Sequence, residues 1–191
     1  RPKLTNEWTI GVIPGPQPTP EYLKPEYLKT LTESEYEVNF NSARTGIRLN
    51  GPIPQWVRED GGEAGLHPSN IHDNAYAVGT LDLTGDQSIL LGPDGPSLGG
   101  FVCSVTTSKG EMWKLGQLHP GDKVHFRLLD LDQAKEIREA EEANLRHEYQ
   151  EVVLPEQKDL DYHYAILAEE TAAGTKIGAR LDGEDNILVE Y

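Results

Sequence analysis

Short apolar segments that alternate with polar residues dominate the first two thirds of the chain, and a period of two marks strands with one buried face. Trp8, Ile10 and Val12 alternate in this way, as do Tyr36, Val38 and Phe40, and then Ile47 and Leu49. Residues 88–91, 98–105 and 123–129 read as further strands, separated by the turn-rich runs Gly92-Pro93-Asp94-Gly95-Pro96-Ser97 and His119-Pro120-Gly121-Asp122. Many short strands punctuated by Gly and Pro build a barrel or a sandwich, so the fold expected is mainly β. Short helices are predicted over 25–32 and 111–118. Residues 14–25 hold five prolines and should form a loop.

From 133 to 150 the chain becomes rich in Glu, Ala, Arg and Gln, which predicts an exposed helix that connects rather than docks. Residues 162–168 and 187–191 read as strands, with Asp182-Gly183-Glu184-Asp185 as a turn before the last. Two or three strands cannot make an independent core. The expected division is therefore a barrel subdomain over 1–132, a helical connector over 133–160, and strands over 161–191. Those strands either complete the first domain or open a second, incomplete one.

Charged residues make up 26% of the 191 positions and hydrophobic ones 37%, a globular profile. No apolar run approaches the roughly 20 residues of a bilayer span, so no membrane contact is expected. The start carries no secretory or transit signature, and the lone Cys103 excludes an internal disulfide framework, which together predict a cytosolic protein. A net charge of -15 argues against nucleic acid, whose phosphates require clustered Lys and Arg. Residues 130–191 alone hold 17 acids and 6 bases, so the acidity belongs mostly to the tail and says little about a ligand.

Three polar clusters could carry chemistry. His67-Pro68-Ser69-Asn70-Ile71-His72-Asp73-Asn74-Ala75-Tyr76 gathers two imidazoles, two amides, a carboxylate and a phenol, enough to surround a small polar molecule. The same residues could equally form a network of Asx turns and Ser caps on loops. A zinc site is not expected, since His67, His72 and Asp73 match no usual ligand spacing and Cys103 is distant. In the second cluster, Leu91 to Phe101, the glycines at 95, 99 and 100 would let backbone N–H groups approach a ligand oxygen, or would merely serve a tight turn in which Asp94 is an ordinary turn residue. It has neither a Walker A ending nor dinucleotide-fingerprint spacing. Arg44 and Arg48 stand four apart at a strand entry, on one face if both are extended, where they could hold a carboxylate. Lys114 and Gln117, near Trp113, belong either to a pocket or to a helix surface. No Gly-x-Ser-x-Gly elbow is present, which weakens a hydrolase reading.

In order, the chain carries Val12-Ile13-Pro14-Gly15-Pro16-Gln17, then Asn41-Ser42-Ala43-Arg44-Thr45-Gly46-Ile47-Arg48, then HPSNIHDNAYAVGTLDLTGDQSILLGPDGPSLGGFVC over 67–103, and Leu115-Gly116-Gln117-Leu118-His119-Pro120-Gly121-Asp122. This succession resembles the allophanate hydrolase subunit 2 family, over about residues 8–129. Its wording is similar to the branch found in urea carboxylases and urea amidolyases rather than to the 5-oxoprolinase branch. The tail over 177–191 is similar to the opening strands of the sister subunit 1 family.

The resemblance implies a cyclophilin-like β-barrel whose active site faces a subunit 1-like partner subdomain. It also implies transfer of a carboxyl group from carboxybiotin to urea, giving allophanate. Biotin would be carried on another domain, because Met112 is followed by Trp113 and no Met-Lys signal exists. ATP and Mg would be handled by a biotin carboxylase domain. On this reading His67, Asn70, His72 and Asn74 contact urea or the ureido ring, Asp94 accepts from a urea N–H, and Arg44 or Arg48 holds the migrating carboxylate. Tyr76, Gly95, Ser97, Gly99, Gly100, Lys114 and Gln117 complete the pocket. Guanidine as substrate, a 5-oxoprolinase-type subunit and a non-catalytic binding module are the alternatives. A carboxylate at Asp73, Asp82 or Asp94 inside the pocket would favour guanidine.

Overall fold

The structure, a computed structural model, describes residues 4–148 and 151–191. Its larger sheet holds β1 (Glu7–Pro14), β2 (Tyr36–Val38), β3 (Gly46–Asn50), β4 (Asn70–Ala75), β5 (Thr80–Thr84), β6 (Gln87–Leu91), β7 (Leu98–Thr107) and β8 (Lys123–Leu128). The strands run in the order β1-β8-β2-β3-β6-β5-β7-β4, and β1 also pairs with β7 through Val12↔Thr107 and Pro14↔Val105. The sheet thus closes into a barrel of seven strands, with β4 outside the ring on β7. Among the described residues only β1 and β8 pair in parallel.

Alternation explains the interior. In β8, Val124, Phe126 and Leu128 point into the barrel while Lys123, His125 and Arg127 take the outer face. Ile10, Leu81, Leu83, Leu90, Val102 and Val105 complete the same core, each fully buried. Burial of such a side chain stabilises the fold by about 1.5–3 kcal/mol. Helix α1 (Tyr27–Glu33) adds Tyr27, Leu28 and Leu31 to this core. It starts later than expected because Pro25 sits in the preceding turn. Helix α2 (Met112–Leu115) is shorter than the expected 111–118, since a 3-10 turn (Lys109–Glu111) precedes it and Gly116 ends it. Phe40, expected in a strand, lies beyond β2 and is 83% exposed.

The helix expected to connect without docking does dock. Helix α3 (Leu131–Leu145) begins at a capping box between Asp130 and Gln133, and Ala134, Ile137 and Ala143 are buried. Ile137 packs so closely on Gly110 that a Cβ there would sit 2.8 Å from it. The end of the expected helix, at 149–150, lies outside the described residues.

A second, separate sheet follows: β9 (Ile166–Ala172), β10 (Thr175–Asp182) and β11 (Asn186–Glu190), in the order β11-β10-β9. It seats on the barrel through Leu181, which packs with Ile13 and Ala134. The β10–β11 turn completes the clamp. Glu184 accepts from Ser108 Oγ at 3.1 Å and from the Lys109 N–H, and Asp185 pairs with Arg138 of α3 at 3.1 Å and with Lys109. Among the described residues no helix is long and apolar enough to cross a membrane.

Candidate functional site

The polar cluster 67–76, read as a loop, is largely strand β4. It lies against the glycine cluster, with Asn70↔Phe101, Asn74↔Gly99 and Ala75↔Leu98 paired across the ladder. Small residues are required for this approach. A Cβ on Gly99 would meet the Tyr76 ring at 2.6 Å, and one on Gly100 would meet the Ile71 carbonyl oxygen at 2.8 Å. The phenol oxygen of Tyr76 accepts from the Phe101 N–H at 2.7 Å, and Asn74 Nδ2 donates to the Gly99 carbonyl at 3.2 Å. The two clusters therefore form one rigid arm, with a cavity on either side and Leu98 facing both.

The larger cavity, about 610 Å³, lies between this arm and the second sheet. The barrel supplies His72, Asp73, Asn74, Tyr22 and Arg58; the sheet supplies Glu169, Lys176, Arg180 and Glu190. Most of its charges are matched. Arg58 pairs with Glu21 at 3.6 Å, Lys176 with Glu169 at 3.3 Å, and Arg180 with Glu190 at 2.8 Å. Arg58 also covers the Tyr22 ring, and burial is the main cause that pushes that phenol up to about 12. Arg180 is 6% exposed, and its Nη1 has no partner among the described residues. A buried guanidinium N–H left unpaired is unfavourable by about 1–3 kcal/mol, which a ligand oxygen or a water would offset.

The smaller cavity, about 360 Å³, is mostly apolar and lined by Ile89, Leu91, Leu98 and Phe101, with Thr45, Arg48, Tyr76, Asp82 and Thr84 as its polar residues. Asp82 is 3% exposed and accepts from Thr84 Oγ1 at 2.7 Å. Burial raises its carboxyl to about 6, against the opposing hydrogen bonds from Thr84 and Tyr76. Among the described residues no group of three His, Cys, Asp or Glu side chains is arranged to hold a metal ion.

The residues expected from sequence divide among these places. His72 and Asn74 line the larger cavity; Arg48, Tyr76 and Gly99 line the smaller one. Asn70, Ser97 and Gly100 lie on or beside the arm without lining either. His67 has both ring nitrogens engaged: Nδ1 accepts from the Ser69 N–H at 3.2 Å, and Nε2 lies 3.4 Å from Asp86. Its ring stands edge-on to Trp56 at 5.6 Å, which makes it a strut beneath β4. The Gly95 N–H is spent on the Gly92 carbonyl at 3.0 Å and is not free for a ligand oxygen.

Arg44 and Arg48 do not share a purpose. Arg44 lies before β3 and holds Asp94 with a bidentate pair at 2.5 and 3.2 Å, which keeps that carboxyl below its usual range. Arg48 donates to the Asn41 carbonyl at 2.6 Å. Lys114 bonds the Thr9 carbonyl at 2.8 Å and pairs with the buried Glu111, so it ties α2 to β1; neither it nor Gln117 lines either of these two cavities. Sequence reasoning missed Tyr22, Arg58, Glu190 and above all Arg180, although Arg180 lies inside the tail motif that resembled the sister family.

The model of the carboxyltransferase domain, subdomain A and B, matches residues 1–128. A urea amidolyase of Lachancea kluyveri is 39% identical over 200 residues, covering 100% of this chain and 11% of the relative. That of Saccharomyces cerevisiae is 37% identical over 198 residues, covering 98% and 10%. The crystal structure of the Kluyveromyces lactis urea carboxylase superposes with a TM-score of 0.88 at 39% identity, covering 100% of this chain and 18% of that one. The chain thus spans about a tenth of the length of the curated relatives it matches. It belongs to the carboxyltransferase family, as a closed β-barrel of the subdomain A and B type.

Proposed function

We propose that the larger cavity is the acceptor half of a carboxyltransferase site, and that the acceptor is urea. The observation that carries this reading is the position of Asn74, on a rigid arm facing Arg180 across a cavity large enough for two small polar reactants. The urea amidolyase and urea carboxylase relatives support the choice of substrate. The domain division expected from sequence fits the same picture, with barrel and second sheet as the two walls.

Biotin, carried on another domain, would supply the activated carboxyl group, which leaves the ureido nitrogen for a urea nitrogen as a proton passes from that nitrogen to biotin, giving allophanate. The residues present fit such a group. Arg180 lines the cavity and is held by Glu190, so it places a fixed positive charge near an oxygen on which charge develops. Asn74 orients the acceptor, and the Tyr22–Arg58 pair shields one side from water. The biotin carboxylase and carrier domains, with ATP and Mg, act elsewhere on this reading, and the setting is cytoplasmic.

Asp73 favours a second reading, guanidine as acceptor, since it is a carboxylate in the larger cavity. The test is the Asn74→Ala variant of the complete enzyme, assayed for ATP turnover driven by urea and by guanidine. The urea reading predicts a loss of about tenfold or more in kcat/KM for urea. Unchanged urea turnover would end it, and faster wild-type turnover of guanidine than of urea would give the site to guanidine.

A further inference from the structure

The loop Gly15-Pro16-Gln17 carries a motif that the proposed function does not use. Gln17 is fully buried, and its backbone N–H donates to the Cys103 carbonyl at 2.7 Å. Its side-chain Oε1 accepts from the Cys103 N–H at 2.9 Å. A backbone N–H can only donate, so the oxygen end of the Gln17 amide is fixed against β7. The Nε2 end must then point the other way, where it meets Asn74 Oδ1 at 3.5 Å. An amide nitrogen can only donate, so the atom that Asn74 turns toward Gln17 is its oxygen. Asn74 Nδ2 consequently lies between the Gly99 carbonyl at 3.2 Å and the His72 carbonyl at 3.5 Å. The longer, exposed contact is the one that a ligand oxygen in the cavity can replace.

We propose that Gln17 is a positioning residue: together with the Gly99 carbonyl it holds the Asn74 amide in place, with a donor rather than an acceptor presented to the cavity ligand. This rests on the reading that Asn74 contacts the acceptor substrate. It assigns a role to a buried amide, from a loop 57 residues away in sequence, that touches no ligand itself.

The test uses Gln17→Met and Gln17→Glu in the complete enzyme. Gln17→Met removes the donor at similar volume, together with the acceptor for the Cys103 N–H, and KM for urea should rise about tenfold while kcat changes much less. Gln17→Glu keeps an acceptor for the Cys103 N–H. Burial favours its protonated form, which donates to Asn74 as the amide did; once ionised it can only accept and repels Asn74 Oδ1, while the Gly99 carbonyl opposes a flip, so the Asn74 amide is pushed out of place. KM of this variant should therefore be close to wild type at low pH and climb as pH rises, across a range where wild type stays flat. In an Asn74→Ala background, Gln17→Met should add no further rise. Wild-type KM in both variants at every pH, or equal pH-independent losses in both that persist in the Asn74→Ala background, would overturn the role of Gln17. If Asn74→Ala itself left KM for urea unchanged, the reading of the cavity would fall, and the inference with it.

Discussion

Replacement of Gly99 by Ala tests whether the arm between the two cavities is rigid. The added methyl carbon would stand 2.6 Å from both Cε2 and the phenol oxygen of Tyr76. Tyr76 cannot retreat freely. It is 9% exposed, packs with Leu91 and Cys103, and is tied by its oxygen to the Phe101 N–H at 2.7 Å. Overpacking of this kind destabilises by about 1–3 kcal/mol, and a stranded Phe101 N–H adds about 1–3 kcal/mol, so a total of roughly 2–6 kcal/mol is expected. In a chain of this size that lowers Tm by roughly 4–24 °C. Differential scanning calorimetry of wild type, Gly99→Ala, Tyr76→Ala and the double variant forms a cycle. The loss from Gly99→Ala should nearly vanish once Tyr76 is Ala, leaving a coupling of about 2 kcal/mol or more. An additive cycle, or a Gly99→Ala protein as stable as wild type, would show that the arm yields and that its packing does not hold the cavity wall.

Other consequences are independent of that one. Asp82→Asn should stabilise the protein near pH 7–8 and lose that advantage toward pH 4: with a folded pKa of about 6 and an unfolded value near 3.8, stability is fully present below the unfolded value and is lost as pH rises to about 6. The gain, about 2–3 kcal/mol at most, is measurable by thermal unfolding across that range. Glu184→Gln should loosen the β10–β11 turn from Ser108 and Lys109, seen as faster hydrogen exchange in β10 with the barrel core unchanged. Lys114→Met should strand the buried Glu111 and destabilise by about 3–5 kcal/mol in thermal unfolding. Cys103, buried and with its thiol raised well above the usual range by desolvation, should resist a maleimide until the protein unfolds.

The strands that read clearly in the sequence are those with one face in the barrel and one in water, such as β8, where Val124, Phe126 and Leu128 alternate with charged or polar neighbours. Strand β5 alternates in the same way, although its polar face is covered as well: Leu81 and Leu83 face the core while Thr80 and Asp82 are buried on the other side. Strand β4, by contrast, was hidden. It is an edge outside the ring, and Asn70-Ile71-His72-Asp73-Asn74 needs no apolar alternation to pair with β7. The adjacency of the two polar clusters was legible as a motif, and the structure joins them in one ladder. The division of labour within them was not legible. His67, Arg44 and Lys114 look like ligand-binding groups in a sequence, yet each is spent on a partner brought close only by the fold, namely Asp86, Asp94 and Glu111. Arg180 and Gln17 lie inside motifs legible in the sequence, but their roles are not legible there, since their surroundings are assembled from distant segments.

The most direct measurement is a crystal structure of the complete enzyme with malonamate, in which a CH₂ replaces the central NH of allophanate. The account predicts the ligand between Asn74 and Arg180, with its amide oxygen toward Asn74 Nδ2. A ligand seated instead between Arg48, Tyr76 and Asp82, or nowhere along this arm, would contradict it.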